Sequence, residues 1–285
     1  MMKVTVGIDV GGSTTKIVAF RETEWGRELI SPQLVRANDP ITAIYGAFGK
    51  FTDENGLAIG DISRVMMTGV GSSFIKRDLY GLDCRRVSEF DSIGKGGLYL
   101  SGLEDALVVS MGTGTAIVHA KKRGEMKYLG GTGVGGGTLM GLSKLLLQAE
   151  SMEHIVEYAN SGDLANIDLR IKDLTAKESM STLRGDMTMA NFGNVSDIAG
   201  KGDQALGIMN LVFETVGMVS VFAARSVGVK NIVLTGNLTE LQHCKRKFDE
   251  FNGMGYGVNF VIPEYSGFST VIGTALQGLP EEVEL

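Results

Sequence analysis

Short apolar runs alternate with clusters of glycine along this chain. Lys3 to Asp9 is one such run, Gly11 and Gly12 form a tight turn, and Thr14 to Phe20 is apolar again. This predicts a β-hairpin with a glycine-rich tip. Ile41, Ile44, Tyr45, Phe48 and Phe51 recur at helical spacing and predict a helix over Ile41 to Glu54. Strand-like Arg64 to Thr68 and Cys84 to Val87 follow, and Glu89 stands where the second hands over to a helix from Phe90 to Leu100.

The pattern then restarts. Ala106 to Ser110 reads as a strand, Gly112-Thr113-Gly114 as a turn, Thr115 to Ala120 as a returning strand, and Met126 to Leu129 as a further one. Helices are predicted over Thr138 to Gln148, Met152 to Asn160, Gln204 to Val227 and Ser269 to Gln277, with a strand over Asn231 to Thr235. A glycine-tipped hairpin in each half predicts two related lobes, residues 1–105 and 106–285, each with its own sheet. A length of 285 residues agrees with a core divided between two domains.

Composition narrows the function classes. A net charge of −6 gives no broad attraction for nucleic acid or anionic membrane. No apolar run approaches the roughly 20 residues of a membrane-spanning helix, and the start Met1-Met2-Lys3-Val4 shows no signal peptide. A soluble cytoplasmic protein is expected. Cys84 and Cys244 are too far apart to read as a zinc site or disulfide framework, and His119, His154 and His243 lack metal-ligand spacing. The 40 glycines against 4 prolines are the unusual count. Gathered at element junctions, they suggest backbone that turns sharply or approaches a ligand closely.

The segment Gly7 to Lys16 places the Asp9 carboxylate at a strand end, amides at Gly11 and Gly12, a hydroxyl, and Lys16 on the returning strand. Such a hairpin can hold a triphosphate, with Asp9 on a hydrated Mg²⁺. It is no Walker A loop, since Gly-Lys-Ser/Thr is absent and a strand follows. An ordinary hairpin turn is the bland alternative. Gly112 to Thr115 offers a second tip. Gly130 to Thr138 opens into a helix, whose N-terminus suits an anion, with a flexible linker as its alternative. Gly236-Asn237 suits either an adenosine pocket or a helix-starting turn. Glu89 suits either a general base or a helix-start carboxylate favoured by capping and the macrodipole.

Taken together, these segments resemble the actin-like superfamily of sugar kinases and Hsp70, and more narrowly the type II pantothenate kinases. The resemblance rests on Gly7 to Lys16, Glu89-Phe90-Asp91, Gly112 to Thr115, Gly130 to Leu142, and Gly185-Asp186-Met187-Thr188-Met189-Ala190-Asn191-Phe192-Gly193-Asn194. The last is similar to a Gly-Asp-Leu-Thr-Ala-Ala-Asn-Phe-Gly signature. The resemblance implies an α/β fold of two RNase H-like (actin-like ATPase) domains with an interdomain nucleotide cleft. It further implies ATP-dependent phosphorylation of the primary hydroxyl of pantothenate, the first step of coenzyme A biosynthesis, with ATP and Mg²⁺ as cofactors.

By the same resemblance Glu89 is the catalytic base. Asp9, Val10, Gly11, Gly12, Ser13, Thr14, Thr15, Lys16, Thr113, Gly114, Gly136, Gly137, Thr138, Leu139, Met140, Met152 and Asn237 are implied at the nucleotide, with Asp9 also on the metal. Gly112, Thr115, Tyr128 and Ala190 are implied at the acceptor. Coenzyme A or an acyl-CoA is implied as a feedback ligand. The chain departs from the family where an arginine two residues before the third loop's Gly-Gly anchors the pantothenate carboxylate: here Tyr128 stands. A tyrosine carries no charge at neutral pH and forms no bidentate fork. Lys127 next door faces the other side of a strand unless a bulge intervenes. Pantetheine, an amide without that carboxylate, is therefore an alternative acceptor. Met152 stands where the family has an aromatic near the adenine.

Two other classes share parts of the pattern. The activator ATPase of a radical dehydratase has the same fold, but needs cysteines for an iron–sulfur cluster. A non-catalytic sensor of nucleotide or acyl-CoA would not need Glu89, Asp9 and Lys16 together. The apolar residues of Gln204 to Val227, among them Leu206, Leu211, Met218 and Phe222, are more than one buried helix face requires and predict a homodimer through this segment.

Overall fold

The computed structural model describes residues 3–12, 14–24, 26–36, 39–75, 77–174, 179–180 and 183–280. In chain order the elements are β1 (Lys3–Val10), β2 (Thr15–Thr23), β3 (Gly26–Val35), α1 (Pro40–Glu54), β4 (Ile62–Thr68), β5 (Cys84–Arg86) and α2 (Glu89–Ser101). Then come β6 (Asp105–Met111), β7 (Thr115–Lys121), β8 (Met126–Thr132), α3 (Gly136–Leu147) and α4 (Met152–Asn160). The short pieces β9 (Leu169–Arg170), α5 (Ile171–Leu174), β10 (Ser179–Met180), β11 (Leu183–Arg184) and β12 (Thr188–Ala190) precede α6 (Lys201–Val227), β13 (Asn231–Thr235), α7 (Gln242–Asn252), β14 (Asn259–Val261) and α8 (Ser269–Leu276).

Two five-stranded sheets carry the fold, in the orders β3-β2-β1-β4-β5 and β14-β13-β6-β7-β8. In the first, β2 and β3 are antiparallel additions to β1, while β4 and β5 run parallel to it. In the second, β7 and β8 stand in the antiparallel places and β13 and β14 in the parallel ones. One topology is thus used twice, and the helical crossovers that parallel strands require account for most of the remaining chain.

Both sheets are covered on two faces. Val4, Val6, Ile8 and Val10 of β1 pack with Ile44, Ala47, Phe48 and Phe51 of α1, while Val18 and Phe20 of β2 pack under Val271, Ile272 and Ala275 of α8. In the second sheet Ala106, Val108, Val118 and Ala120 meet Ile93 and Leu98 of α2, and the opposite face rests on α3, α4, α6 and α7. The strands therefore divide between residues 86 and 105, but the helices cross: α2 covers the second sheet and α8 the first. They meet each other backbone to backbone. A Cβ on Gly96 would strike the Ser269 carbonyl, and one on Gly273 the Ser92 carbonyl. Around this contact Thr274 Oγ1 and Gln277 Nε2 donate to Ser92 Oγ at 3.0 and 2.8 Å.

Several expectations need correction. The edge strand β3 has only Ile30 buried and carries no apolar alternation. Helix α7 is mostly polar, burying His243, Cys244, Phe248 and Phe251. Neither left a periodic signal strong enough to read. Helix α6 spans 27 residues and is apolar enough to cross a membrane by length and composition alone, contrary to the expectation that no run approaches such a length. It is a core helix instead: Ala205, Ile208, Met209, Val212, Phe213, Val216, Val221 and Ala224 are buried in the second core. Leu206, Met218 and Val219 also pack on that core, so much of the apolar surface of α6 is used within its own half of the chain, while Phe222 stays exposed.

Candidate active site

Parallel strands present their C-terminal ends together, and in open α/β sheets ligands bind there. Here the two hairpin tips, β1–β2 and β6–β7, face one another across a cavity of about 670 Å³. Asp9, Gly11, Gly12, Thr14 and Lys16 line it from the first sheet, and Gly112, Thr113, Gly114, Thr115 and Tyr128 from the second, with Glu89 and Asn237 completing the expected set. Each tip is closed by its own amide: Gly11 N donates to Thr14 O at 3.0 Å and Gly112 N to Gly114 O at 2.9 Å.

Glu89 is the first residue of α2, but it does not cap that helix. Ser88 does, its Oγ accepting from Asp91 N at 3.3 Å. Among the described residues no group donates to the Glu89 carboxylate, which stands on the cavity wall with burial by its surroundings holding its pKa above the ordinary range. The cap reading of the sequence therefore belongs to Ser88. A carboxylate left unbonded beside a cavity is available to take a proton.

Burial pushes the Asp9 carboxyl up to about 6, against the pull of Lys16 and with a smaller push from Glu89. Burial likewise lowers the Lys16 pKa, opposed by Asp9 and Glu240. Asp9 and Lys16 are directly paired across β1 and β2. The Lys16 Nζ reaches over to the second half of the chain, donating to Asn237 Oδ1 at 2.6 Å and to the Gly267 carbonyl.

Other expected residues fall elsewhere. Val10, Thr15 and Leu139 are buried, Val10 and Leu139 within the cores, and none of the three lines the cavity. Met140 and Met152 pack against the second core and do not line the cavity. Ser13 lies outside the described residues. Gly136 and Gly137 begin α3 as a glycine run should, yet their amides donate to Gly112 O and Thr113 O, both at 2.8 Å. Thr138 Oγ1 donates to Gly133 O at 2.9 Å. A Cβ on Gly135 would sit 2.8 Å from Gly114 C and from Thr113 O. This glycine run lets the backbone of α3 lock the second hairpin tip, rather than leaving those two amides free for an anion.

Tyr128 stacks on Phe90, with ring centroids 4.0 Å apart and planes 17° from parallel. A bulge does occur in β8, but at Leu129, between Gly130, paired with Ile117, and Tyr128, paired with Val118. Lys127 keeps its place opposite His119, on the face turned away from Val118 and α2. Arg184 is occupied by Asp186, at 3.0 and 2.7 Å.

Ala190 ends β12 within the signature segment and does not line the cavity. That segment is tied to α6 and its surroundings. Thr188 Oγ1 and Asn191 Nδ2 donate to Glu214 at 2.8 and 3.0 Å, Phe192 N donates to Asp168 at 2.8 Å, and Asn210 Nδ2 donates to the other Asp168 oxygen at 2.7 Å. Its conspicuous residues are anchors.

The cavity also takes in Ser110, Gly131 and Thr132 from the second and third glycine loops, together with Gly69, Val70, Ile93 and Thr270, and these last four the sequence reading did not single out. The usable signal was the repetition itself: Thr68-Gly69 ends β4 as Thr235-Gly236 ends β13.

The fold is that of known ATP-analogue-bound proteins. The activator of the 2-hydroxyisocaproyl-CoA dehydratase from Clostridium difficile with bound ADPNP superposes with a TM-score of 0.68 at 16% identity, covering 96% of this chain and 93% of that one. A ROK family glucokinase from Streptomyces griseus in complex with glucose and AMPPNP gives 0.55 at 14%, covering 96% and 98%. These likenesses establish the actin-like architecture. Sequence relatives are closer. The type II pantothenate kinase of Oceanobacillus iheyensis is 34% identical over 209 residues, 70% of this chain and 77% of the relative. That of Staphylococcus aureus (strain MRSA252) is 26% identical over 283 residues, 96% and 99% of the two chains. The profile of the Fumble family matches residues 104–248. With the hairpin tips, Glu89 and the signature segment in the order that the resemblance required, the chain belongs to the Fumble family, among the type II pantothenate kinases.

Proposed function

We propose that this protein transfers the γ-phosphoryl group of ATP to the primary hydroxyl of pantothenate. The observation that carries this reading is the unbonded Glu89 carboxylate on the wall of the cavity that both hairpin tips enclose. Glu89 takes the hydroxyl proton as the oxygen attacks the γ-phosphorus. The bond from phosphorus to the β–γ bridging oxygen breaks, and ADP leaves with that electron pair.

Positioning and charge supply the rest. Lys16 and the tips around Gly11, Gly12, Thr113 and Gly114 hold the phosphates. Gly112, Thr115 and Tyr128 border the acceptor. Asp9 fits Mg²⁺, because a carboxylate whose ionised form is penalised by burial gains from a cation beside it. Among the described residues no group of three acidic, His or Cys side chains could hold a metal. The ion would thus keep mostly water and phosphate oxygens, as Mg²⁺ prefers; bound there, it neutralises phosphate charge.

A dimer fits the exposed Leu145, Leu146, Met189, Val195 and Ile198 better than the buried face of α6. A coenzyme A thioester, which contains the pantothenate unit within its pantetheine arm, is the natural feedback ligand of this cleft. Free thiols at Cys84 and Cys244 suit the reducing cytoplasm. ADP release with pantothenate, pantetheine and N-acetylglucosamine as separate acceptors tests the assignment. Release with pantothenate and none with the sugar is expected. No release with pantothenate would overturn it.

A further inference from the structure

The repeated topology extends to the turns at the cleft. Thr68-Gly69-Val70-Gly71-Ser72 follows β4 and Thr235-Gly236-Asn237-Leu238-Thr239 follows β13. Gly69 has φ +83° and Gly236 φ +93°, in the region that favours glycine. Each glycine carbonyl accepts twice. Ser72 N and Oγ donate to Gly69 O at 3.1 and 2.7 Å, and Thr239 N and Oγ1 donate to Gly236 O at 3.1 and 2.7 Å. A Cβ on Gly69 would sit 2.7 Å from Asp9 Oδ1, and one on Gly236 2.5 Å from Met111 O. The two turns are structural copies, and both lie tight against the first strand of their sheet.

They differ at the residue after the glycine. Asn237 uses its side chain to hold Lys16. Val70, its counterpart, has no polar group and is 70% exposed on the cavity wall. Strand β4 lies between β1 and β5, Asp9 pairs with Thr68 and Met67 with Arg86, and Thr68 Oγ1 donates to Val87 O at 3.2 Å. The register therefore brings Asp9, Val70 and Glu89 side by side at three adjacent strand ends, with Val70 in the middle. Ile93, one turn after Glu89 on α2, lines the same wall. A carboxylate that must reach a hydroxyl is thus flanked by branched aliphatic surface. An acceptor whose hydroxyl meets Glu89 would turn the neighbouring carbons toward this aliphatic wall.

We propose that Val70 is a specificity-determining residue. It packs on a branched alkyl centre next to the phosphorylated hydroxymethyl group and selects acceptors that carry one. This rests on the pantothenate reading above, since pantothenate carries two methyl groups on the carbon adjoining its hydroxymethyl group. Asn237 serves the nucleotide and Val70 the acceptor, one copy of the turn for each substrate.

The test compares kcat/KM for pantothenate and for the analogue with hydrogens in place of the two methyl groups, in wild type, Val70→Asn and Val70→Ile. Wild type should prefer pantothenate by at least about 10-fold, the scale of a methyl-sized contact in an apolar pocket. Val70→Asn should lower the pantothenate value by about 10-fold or more, move the analogue's by less than about 3-fold, and leave the KM for ATP unchanged; Val70→Ile should keep the preference. Turnover of pantothenate with equal losses on both acceptors, or with no loss on either, would overturn the role of Val70 alone. Turnover of neither acceptor by wild type would overturn the pantothenate reading and this inference with it.

Discussion

Lys16 Nζ, on the returning strand of the first hairpin, donates to Asn237 Oδ1 at 2.6 Å across the cleft between the two sheets. The ammonium is buried and its pKa lowered by that burial, so the side chain that should meet the phosphates is held in place by the opposite half of the chain before any nucleotide arrives.

Asn237→Ala removes a hydrogen bond to a charged group, a loss of about 1.5–3 kcal/mol. The expected outcome is a lower midpoint in denaturant unfolding together with a KM for ATP raised by about 10-fold or more. Unchanged ATP affinity in a folded variant would show that Asn237 does not prepare Lys16 for the nucleotide.

Glu89→Gln should keep the fold and ATP binding, because Ser88 and not Glu89 caps α2. Turnover should fall by about 10²-fold or more, the usual scale for a lost general base. In wild type, the acid limb of kcat/KM against pH should lie above the ordinary carboxylate range, following the raised pKa values of Glu89 and Asp9. Near-normal turnover by Glu89→Gln would remove it from the mechanism.

Asp9 makes a prediction about stability. Its folded-state pKa of about 6 exceeds its ordinary 3.8, so the folded chain holds this proton more tightly than the unfolded one. The resulting stabilisation is full below about pH 4 and is lost as pH rises through about 6. Asp9→Asn removes the buried charge, and at pH 8 it should be more stable than wild type by up to about 3 kcal/mol, less to the extent that cleft water solvates the carboxylate. The gain should vanish near pH 4, and phosphotransfer should be lost at either pH. Thermal unfolding of both proteins at pH 4 and pH 8 measures this; a variant no more stable than wild type at pH 8 would contradict it.

The hairpins were legible in the sequence because a glycine tip between two apolar runs is a local signal, and Lys16 and Asp9 sit at fixed offsets from it. Glu89 was legible only through its motif, since by position alone it is indistinguishable from a cap; the structure gives the cap to Ser88. What Gly136 and Gly137 do in the fold was not legible, for a different reason. Their amides are spent on carbonyls of Gly112 and Thr113, and a nonlocal partner leaves no trace in the spacing of glycines. Val70 carries neither charge nor motif and becomes visible only when the turns after β4 and β13 are laid over one another. Most of the apolar residues of α6 turn inward onto the second core, a burial that sequence alone does not separate from a surface shared with a partner.

Tyr128 bears on which acceptor the cleft prefers. Among the described residues lining the cavity, Lys16 is the only cation, and it is bound to Asn237 and Gly267. Lys127 faces away from α2, and Arg184 is paired with Asp186. An arginine at position 128 would keep a flat surface against Phe90, since a guanidinium stacks on an aromatic face. It would also offer a fork to a carboxylate, and a charge-assisted pair worth about 1.5–3 kcal/mol corresponds to roughly 10- to 150-fold in affinity. Tyr128→Arg should therefore raise kcat/KM for pantothenate while changing that for uncharged pantetheine much less. Both acceptors are measured with wild type and variant at matched ionic strength, because screening alone would shift the charged one. Should wild type already favour pantothenate strongly and the arginine give no selective gain, the carboxylate is held by a cation outside this cavity wall, and Tyr128 contributes its stacked ring alone.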